Sequence, residues 1–407
     1  MKNNKLYVLL VLFLIPVCAI LTQCMSNKKA DPRGENYAGS ASCIKCHQRI
    51  YQDYFNTPHN QSSRPAAIHS IHGSFAPGTN AFSFNDSLKI VMEKRDSGLY
   101  QVAYNNGKQV AANRFDITFG NEKAETYLYW KNDQLFELPI SYFGALHSWT
   151  NGPGYASGKV NFERPIVTRC FECHSSYIRE QPSPGIQNRD VRFDNASIVY
   201  GIDCERCHGP SAQHVEFQTQ HPNDKKAMYM ASFKIMTRAQ RLDACAVCHS
   251  GGKDNYLTSL FNFKMGDTLA KFKEPSFLHE NVNPETIDVH GNQNGLLKAS
   301  KCFLMSNMDC NTCHDTHAAA KPNLIAYSQR CTSCHTNANH NTCKMTATVG
   351  LTINSNCIDC HMPAKPSNVI KVESAGGKMV IPYMVRTHYI AIYPEESKRI
   401  LAFIKGK

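Results

Sequence analysis

Cys204-Glu205-Arg206-Cys207-His208 is one of seven Cys-x-x-Cys-His segments in this chain of 407 residues. The others are Cys43-Ile44-Lys45-Cys46-His47, Cys170-Phe171-Glu172-Cys173-His174 and Cys245-Ala246-Val247-Cys248-His249. Cys310-Asn311-Thr312-Cys313-His314, Cys331-Thr332-Ser333-Cys334-His335 and Cys357-Ile358-Asp359-Cys360-His361 complete the set. Shuffling the 18 Cys and 18 His over this length would give only about 0.03 such segments. Two thiols three residues apart, followed at once by an imidazole, suit covalent c-type haem. The thiols form thioethers to the porphyrin and the His ligates iron. Structural zinc is the competing chemistry. It leaves an odd number of Cys pairs and no reason for a His after every second thiol. Seven covalently attached haem c groups are therefore expected.

Buried macrocycles supply apolar area that side chains would otherwise provide, so such a chain needs less polypeptide core. The hydrophobic fraction is 42%, with only two Trp. These features lead to an expectation of a mainly α fold, with much irregular backbone packed around haems.

The formal charge of +11 invites a nucleic-acid or anionic-membrane partner. Propionates change this. Seven haems add about −7 when oxidised and about −14 when reduced. Without Lys2 and Lys5, the holoprotein lies near about +2 or about −5. The basic surplus balances propionates, and no nucleic-acid partner is expected.

Lys2 and Lys5 precede an apolar run from Leu6 to Leu21, then Leu21-Thr22-Gln23-Cys24 and a polar stretch. A basic start and a short apolar run signify export. Leu three residues before Cys24 resembles a bacterial lipoprotein box, making Cys24 the lipidation site. An uncleaved anchor and simple cleavage are the alternatives, though the apolar run is short for a span. All three place the body outside the cytoplasm, facing the periplasm or cell surface.

The domain plan follows from these features. Residues 1–23 form the signal peptide, 24–36 a flexible tether and 37–80 the first haem segment. Residues 81–160 form a β-rich insert, 161–392 a six-haem domain and 393–407 a C-terminal helix. Within the insert, Leu88-Lys89-Ile90-Val91-Met92 and Leu99-Tyr100-Gln101-Val102-Ala103-Tyr104 are β-prone. Asp96-Ser97-Gly98 and Asn105-Asn106-Gly107-Lys108 have hairpin-turn composition. The pattern is an antiparallel meander between the first and second motifs. Thr237 can cap a helix entering the fourth motif. Pro394, followed by Glu395 and Glu396, suits a helix start.

Eleven histidines lie outside the motifs, and seven would make every haem six-coordinate. Trans imidazoles ~2 Å from one iron hold their Cα atoms roughly 12 Å apart. Three residues of chain span at most ~11 Å, so His314 and His317 cannot share an iron. As a ligand, His317 must serve a neighbouring haem.

Ser40-Ala41-Ser42-Cys43…His47…Tyr51…Tyr54-Phe55…His59 resembles the opening of the cytochrome c-554 and c-prime domain family. Cys207-His208-Gly209-Pro210…His214 is similar to its Cys-His-Gly-Pro-Gly…His element, with Ser211 in place of the last Gly. Asp288-Val289-His290-Gly291-Asn292-Gln293 and His314-Asp315-Thr316-His317 resemble later segments of longer multihaem relatives. The resemblance implies His59, His214, His290 and His317 as distal ligands, with His340 and His388 as further ones. His69 and His72 compete for the seventh place. His147, His221 and His279 are expected to be ordinary structural residues.

Cys302 and Cys343 flank the fifth and sixth motifs, and in an oxidising compartment they are candidates for a disulfide. The function expected is electron transfer through mostly bis-His, low-potential haems in an extracytoplasmic respiratory chain. Partners would be quinol-oxidising or terminal reductase components, with the membrane reached through the lipid anchor. No catalytic residue is assigned. A reductase or oxidase of a small nitrogen or sulfur compound is the alternative, and it requires one haem with an open position. The Cys-x-x-Cys-Lys motif typical of the pentahaem nitrite reductases is missing from the sequence.

Overall fold

The computed structural model describes residues 30–182, 191–251, 255–274, 291–319, 323–336, 338, 342–377 and 379–406. Among these residues are fifteen strands, and the chain is not mainly α. The largest element is a nine-stranded antiparallel sheet. Its path runs Ser63–Pro65, Ile117–Asn121, Ala124–Lys131, Ile140–Phe143, Ser148–Asn151, Ala364–Glu373, Val380–Arg386. Gln134–Glu137 and Arg164–Pro165 branch from Ala124–Lys131. The mainly α expectation gave too little weight to strand partners outside the meander. Ser63–Pro65 and the hairpin after the seventh motif extend the sheet well beyond residues 81–160.

A four-stranded meander, Ala81–Ser83, Leu88–Arg95, Gly98–Asn105 and Lys108–Arg114, packs against one face of the large sheet. Asn106 and Gly107 both have positive φ, at 48° and 75°. That is the type I′ requirement, which explains the tight turn there. Along Ala124–Lys131, Tyr127 and Tyr129 face this meander together with Phe82, Ile90, Met92 and Trp149. Leu128 and Trp130 point the other way, toward Phe171, Ile178 and Phe193. Strand periodicity thus makes the sheet a wall, with a β-sandwich core on one side and the second Cys-x-x-Cys-His segment on the other.

Glu125, on the sandwich face, has a fully buried side chain and pairs with Arg64. It also accepts from the Tyr127 hydroxyl at 2.7 Å and lies 2.8 Å from His72 Nδ1. His72 therefore sits on the sheet face opposite the second motif.

Glu137, in the adjoining strand, is buried beside Arg164 with 3.2 Å between Oε2 and Nη1. Burial outweighs that attraction and pushes its carboxyl up to about 7. A raised folded-state value means the stabilising protonated form is present below the ordinary value, near 4.5, and is lost as pH rises through about 7. Urea midpoints of the wild type should fall across this window, by on the order of 3 kcal/mol in unfolding free energy. Glu137→Gln should flatten that slope. An unchanged slope in the variant would remove Glu137 as its source.

Candidate functional site

Each motif is held on, or at the end of, a short helix. Cysteines at i and i+3 and histidine at i+4 then share one helical face, the arrangement a covalent haem needs. The second, third and seventh motifs lie in helices Thr168–His174, Cys204–His208 and Cys357–His361. The fourth ends the helix Arg238–His249. The fifth opens on a 3-10 turn, Cys310–Thr312, and the sixth closes the helix Leu324–Thr332. The first starts the helix Ile44–Phe55, which breaks at His47 with φ −115° and ψ 38°.

Polar residues cap these starts. Asp203 accepts from Arg206 N at 2.8 Å, Asp309 from Asn311 N at 3.0 Å and Asn356 from Asp359 N at 3.1 Å. Thr237 and Gln240 form a full capping box before the fourth motif.

Acidic residues inside the motifs hold neighbouring segments, which was not read from the sequence. Glu172 accepts from Ser259 Oγ and Leu260 N, each at 2.7 Å. Glu205 accepts from Ala38 N, Gly39 N and Ser211 N at 2.8–2.9 Å, and from Arg33 at 3.1 Å. Asp359 pairs with Arg386 at 2.9 Å. A charged residue between two motif cysteines was the available signal.

The histidines form facing pairs. The rings of His208 and His317 have centroids 5.9 Å apart and planes 15° apart. His314 and His388 are separated by 6.1 Å and 26°. His249 and His59 are separated by 6.1 Å but 74°. Trans imidazoles on one iron would have centroids about 6.2 Å apart, from ~2.0 Å per bond and ~1.1 Å from nitrogen to ring centre. Each pair thus joins a motif histidine to a histidine distant in sequence at the spacing of a six-coordinate haem.

The ring nitrogens are prepared for the same task. His208, His361 and His214 direct Nδ1 to the carbonyls of Ala231, Ala391 and Met228 at 3.3, 2.9 and 2.8 Å. With the proton on Nδ1, Nε2 keeps its lone pair for a metal. Burial pushes His59 and His388 down to about 4, so both stay neutral, the ligating form. The residues present fit covalent haem.

Thiols from different motifs also meet. Cys43 lies beside Cys204, Cys173 beside Cys248, Cys245 beside Cys310 and Cys331 beside Cys357. Residues 148–209 match the family model described as cytochrome c554 and c-prime. Over that stretch the chain resembles a family of c-type cytochromes. Covalently bound haem and electron transfer go with that class.

The chain also resembles a solved structure, the outer cell wall cytochrome OcwA, with a TM-score of 0.53 at 16% identity. That likeness covers 90% of this chain and 82% of the other, and concerns the fold. Among curated proteins none matches. The remaining candidates fall as follows. His290, His340 and Cys24 lie outside the described residues, as does His279. His221 stacks on Phe217 at 4.4 Å, and His147 has a positive φ at the end of a 3-10 turn. Cys302 and Cys343 are both free thiols. Cys302 lies near Cys313 and Cys331, whereas Cys343 lies near Cys360. No helix among the described residues is long and apolar enough to cross a membrane.

Proposed function

We propose that this cytochrome carries seven haem c groups and transfers electrons in an extracytoplasmic respiratory chain through closely packed, mostly bis-His haems. The observation that carries this reading is the set of three facing histidine pairs at 5.9–6.1 Å. Haem c at these motifs would supply reversible one-electron chemistry at low potential, because two imidazoles favour ferric iron more than a Met/His pair does. His208, His249 and His314 would be proximal ligands, with His317, His59 and His388 opposite them. His214 is assigned as a further distal ligand on its bond to Met228, which directs Nε2 away from the carbonyl. His290 and His340 complete the proposed set on the family resemblance.

The polypeptide's part is to bring the motifs together and hold them in place. Glu172, Glu205 and Asp359 do this by fastening loops onto the motif helices. A lipid on Cys24 would hold the molecule at a membrane, with its body facing the periplasm or cell surface. OcwA is named for the outer cell wall, a setting consistent with that placement. The partners would be quinol-oxidising or terminal reductase proteins.

Low-temperature EPR of the oxidised holoprotein, with haem quantified per chain, tests the reading. Seven haems with only low-spin ferric signals are expected. A high-spin signal that shifts on adding nitrite, hydroxylamine or sulfite would overturn it in favour of a reductase.

A further inference from the structure

The fourth motif stands where three others meet. Its helix packs on that of the second motif, and Cys248 donates to the Glu172 carbonyl at 3.7 Å besides meeting the Cys173 thiol. From the other end of the same motif, Cys245 meets Cys310 of the fifth. The Arg241–Asp309 ion pair fastens that contact. Cys207 of the third motif lies within electrostatic range of Cys245. Among the described residues, the thiol contact of the first motif is with the third, and that of the seventh is with the sixth.

His59 reaches this meeting point from the segment after the first motif. Ile202 N donates to the His59 carbonyl at 2.8 Å, and Ser62 Oγ donates to the same carbonyl at 2.8 Å. Ser62 Oγ also lies 2.9 Å from the His174 carbonyl. The His59 carbonyl is thus anchored to Ile202 and, through the Ser62 hydroxyl, to the end of the second motif.

We infer that the fourth motif holds the junction of the haem array, and that His59 completes it with its ring crossed on that of His249. The 74° angle contrasts with 15° at His208/His317 and 26° at His314/His388. Imidazole planes set the splitting of the iron dπ orbitals. Parallel planes add their effects and split the orbitals, whereas crossed planes cancel. A ferric iron between crossed rings gives a strongly anisotropic low-spin signal, and one between parallel rings gives a rhombic signal. The lost splitting also disfavours the ferric state. The junction site is thus reduced at a higher potential than the two parallel sites beside it. The inference rests on the bis-His electron-carrier reading and adds which histidine serves the junction and with what electronic result.

EPR on the holoprotein, followed through a stepwise reductive titration, tests this. The wild type should show a strongly anisotropic signal that disappears before the rhombic signals of the third and fifth motifs. Those rhombic signals should sharpen as it goes, since an adjacent spin is lost. His59→Met should remove one haem equivalent of the anisotropic signal and leave the rhombic ones. His317→Met should remove one haem equivalent of rhombic signal and leave the anisotropic one.

A wild type with rhombic signals alone overturns the inference without any variant. So does His59→Met losing a rhombic signal or changing nothing, or an anisotropic signal that outlasts the rhombic ones. Absence of low-spin ferric signals altogether would instead sink the underlying bis-His reading.

Discussion

Gly201→Ala is expected to lower the unfolding free energy by more than about 2 kcal/mol and to disturb the spectrum of one haem site. Gly201 has φ +67°, and a Cβ built there would lie 2.1 Å from the carbonyl oxygen of Asn60. The left-handed conformation alone costs an L-residue roughly 1–2 kcal/mol. The clash adds overpacking strain of about 1–3 kcal/mol, since its partner is backbone and cannot swing aside. Gly201 is also held in place. Its N–H donates to Ser63 Oγ at 2.9 Å, and its carbonyl accepts from Ser176 Oγ at 2.8 Å. Relief must come from moving Asn60, and His59 moves with it, away from His249. Urea unfolding and EPR of the same preparation measure both effects. Gly209→Ala is the control, with φ +78° but nothing within 4 Å. It should cost only the conformational strain. Equal losses in the two variants would show that the Asn60 contact is unimportant.

The second large effect is at Arg33. Arg33→Ala should destabilise the protein by about 3 kcal/mol or more, because breaking a buried ion pair leaves uncompensated charge. The guanidinium contacts both oxygens of Asp203 at 3.1 and 2.8 Å, Asp31 at 2.9 Å and Glu205 at 3.1 Å. Arg33 and Glu205 have side chains only 5% and 0% exposed, so solvent cannot replace the lost partner. Glu205 would retain its three amide donors, but Asp203 would lose its cation. Arg33→Lys should fall between, keeping the charge without the planar fork. Adding Asp203→Asn to Arg33→Ala should recover part of the loss by removing the stranded charge, since the Asn oxygen can still accept from Arg206 N. A wild-type urea midpoint for Arg33→Ala would contradict the assignment.

What was legible in the sequence lay within a few residues of itself. The motifs, the Thr237 cap, the Asn106-Gly107 turn and Pro394 at a helix start all act through adjacent backbone. What was missed joins distant residues. Arg33 and Asp203 are 170 positions apart, and local periodicity carries no record of such a pair. The hairpin Ala364–Glu373 and Val380–Arg386 contains Pro366 and Pro382, which disguise a strand pattern. Its attachment to Asn151 is a long-range register. The expectation of a mainly α chain failed there, because the weight given to haem packing left no place for a completed wall. The candidate site was legible as a list of donors. Which histidine faces which depends on the fold.

The pairing of the last hairpin with Ser148–Asn151 has a consequence for how the molecule is made. Ser157 and Glu373 hydrogen-bond across 216 residues, and six of the seven motifs lie between the sheet's two contributions. A chain delivered from its N-terminus presents Ser148–Asn151 long before its partner arrives. An unpaired strand is a template for wrong neighbours during that delay. Contacts of such long sequence separation also close late. Maturation of the seventh motif, which directly precedes the hairpin, and protection of that open edge are thus parts of one closing step. A polypeptide that stops short of the hairpin would carry every Cys-x-x-Cys-His segment and still expose a sticky flank.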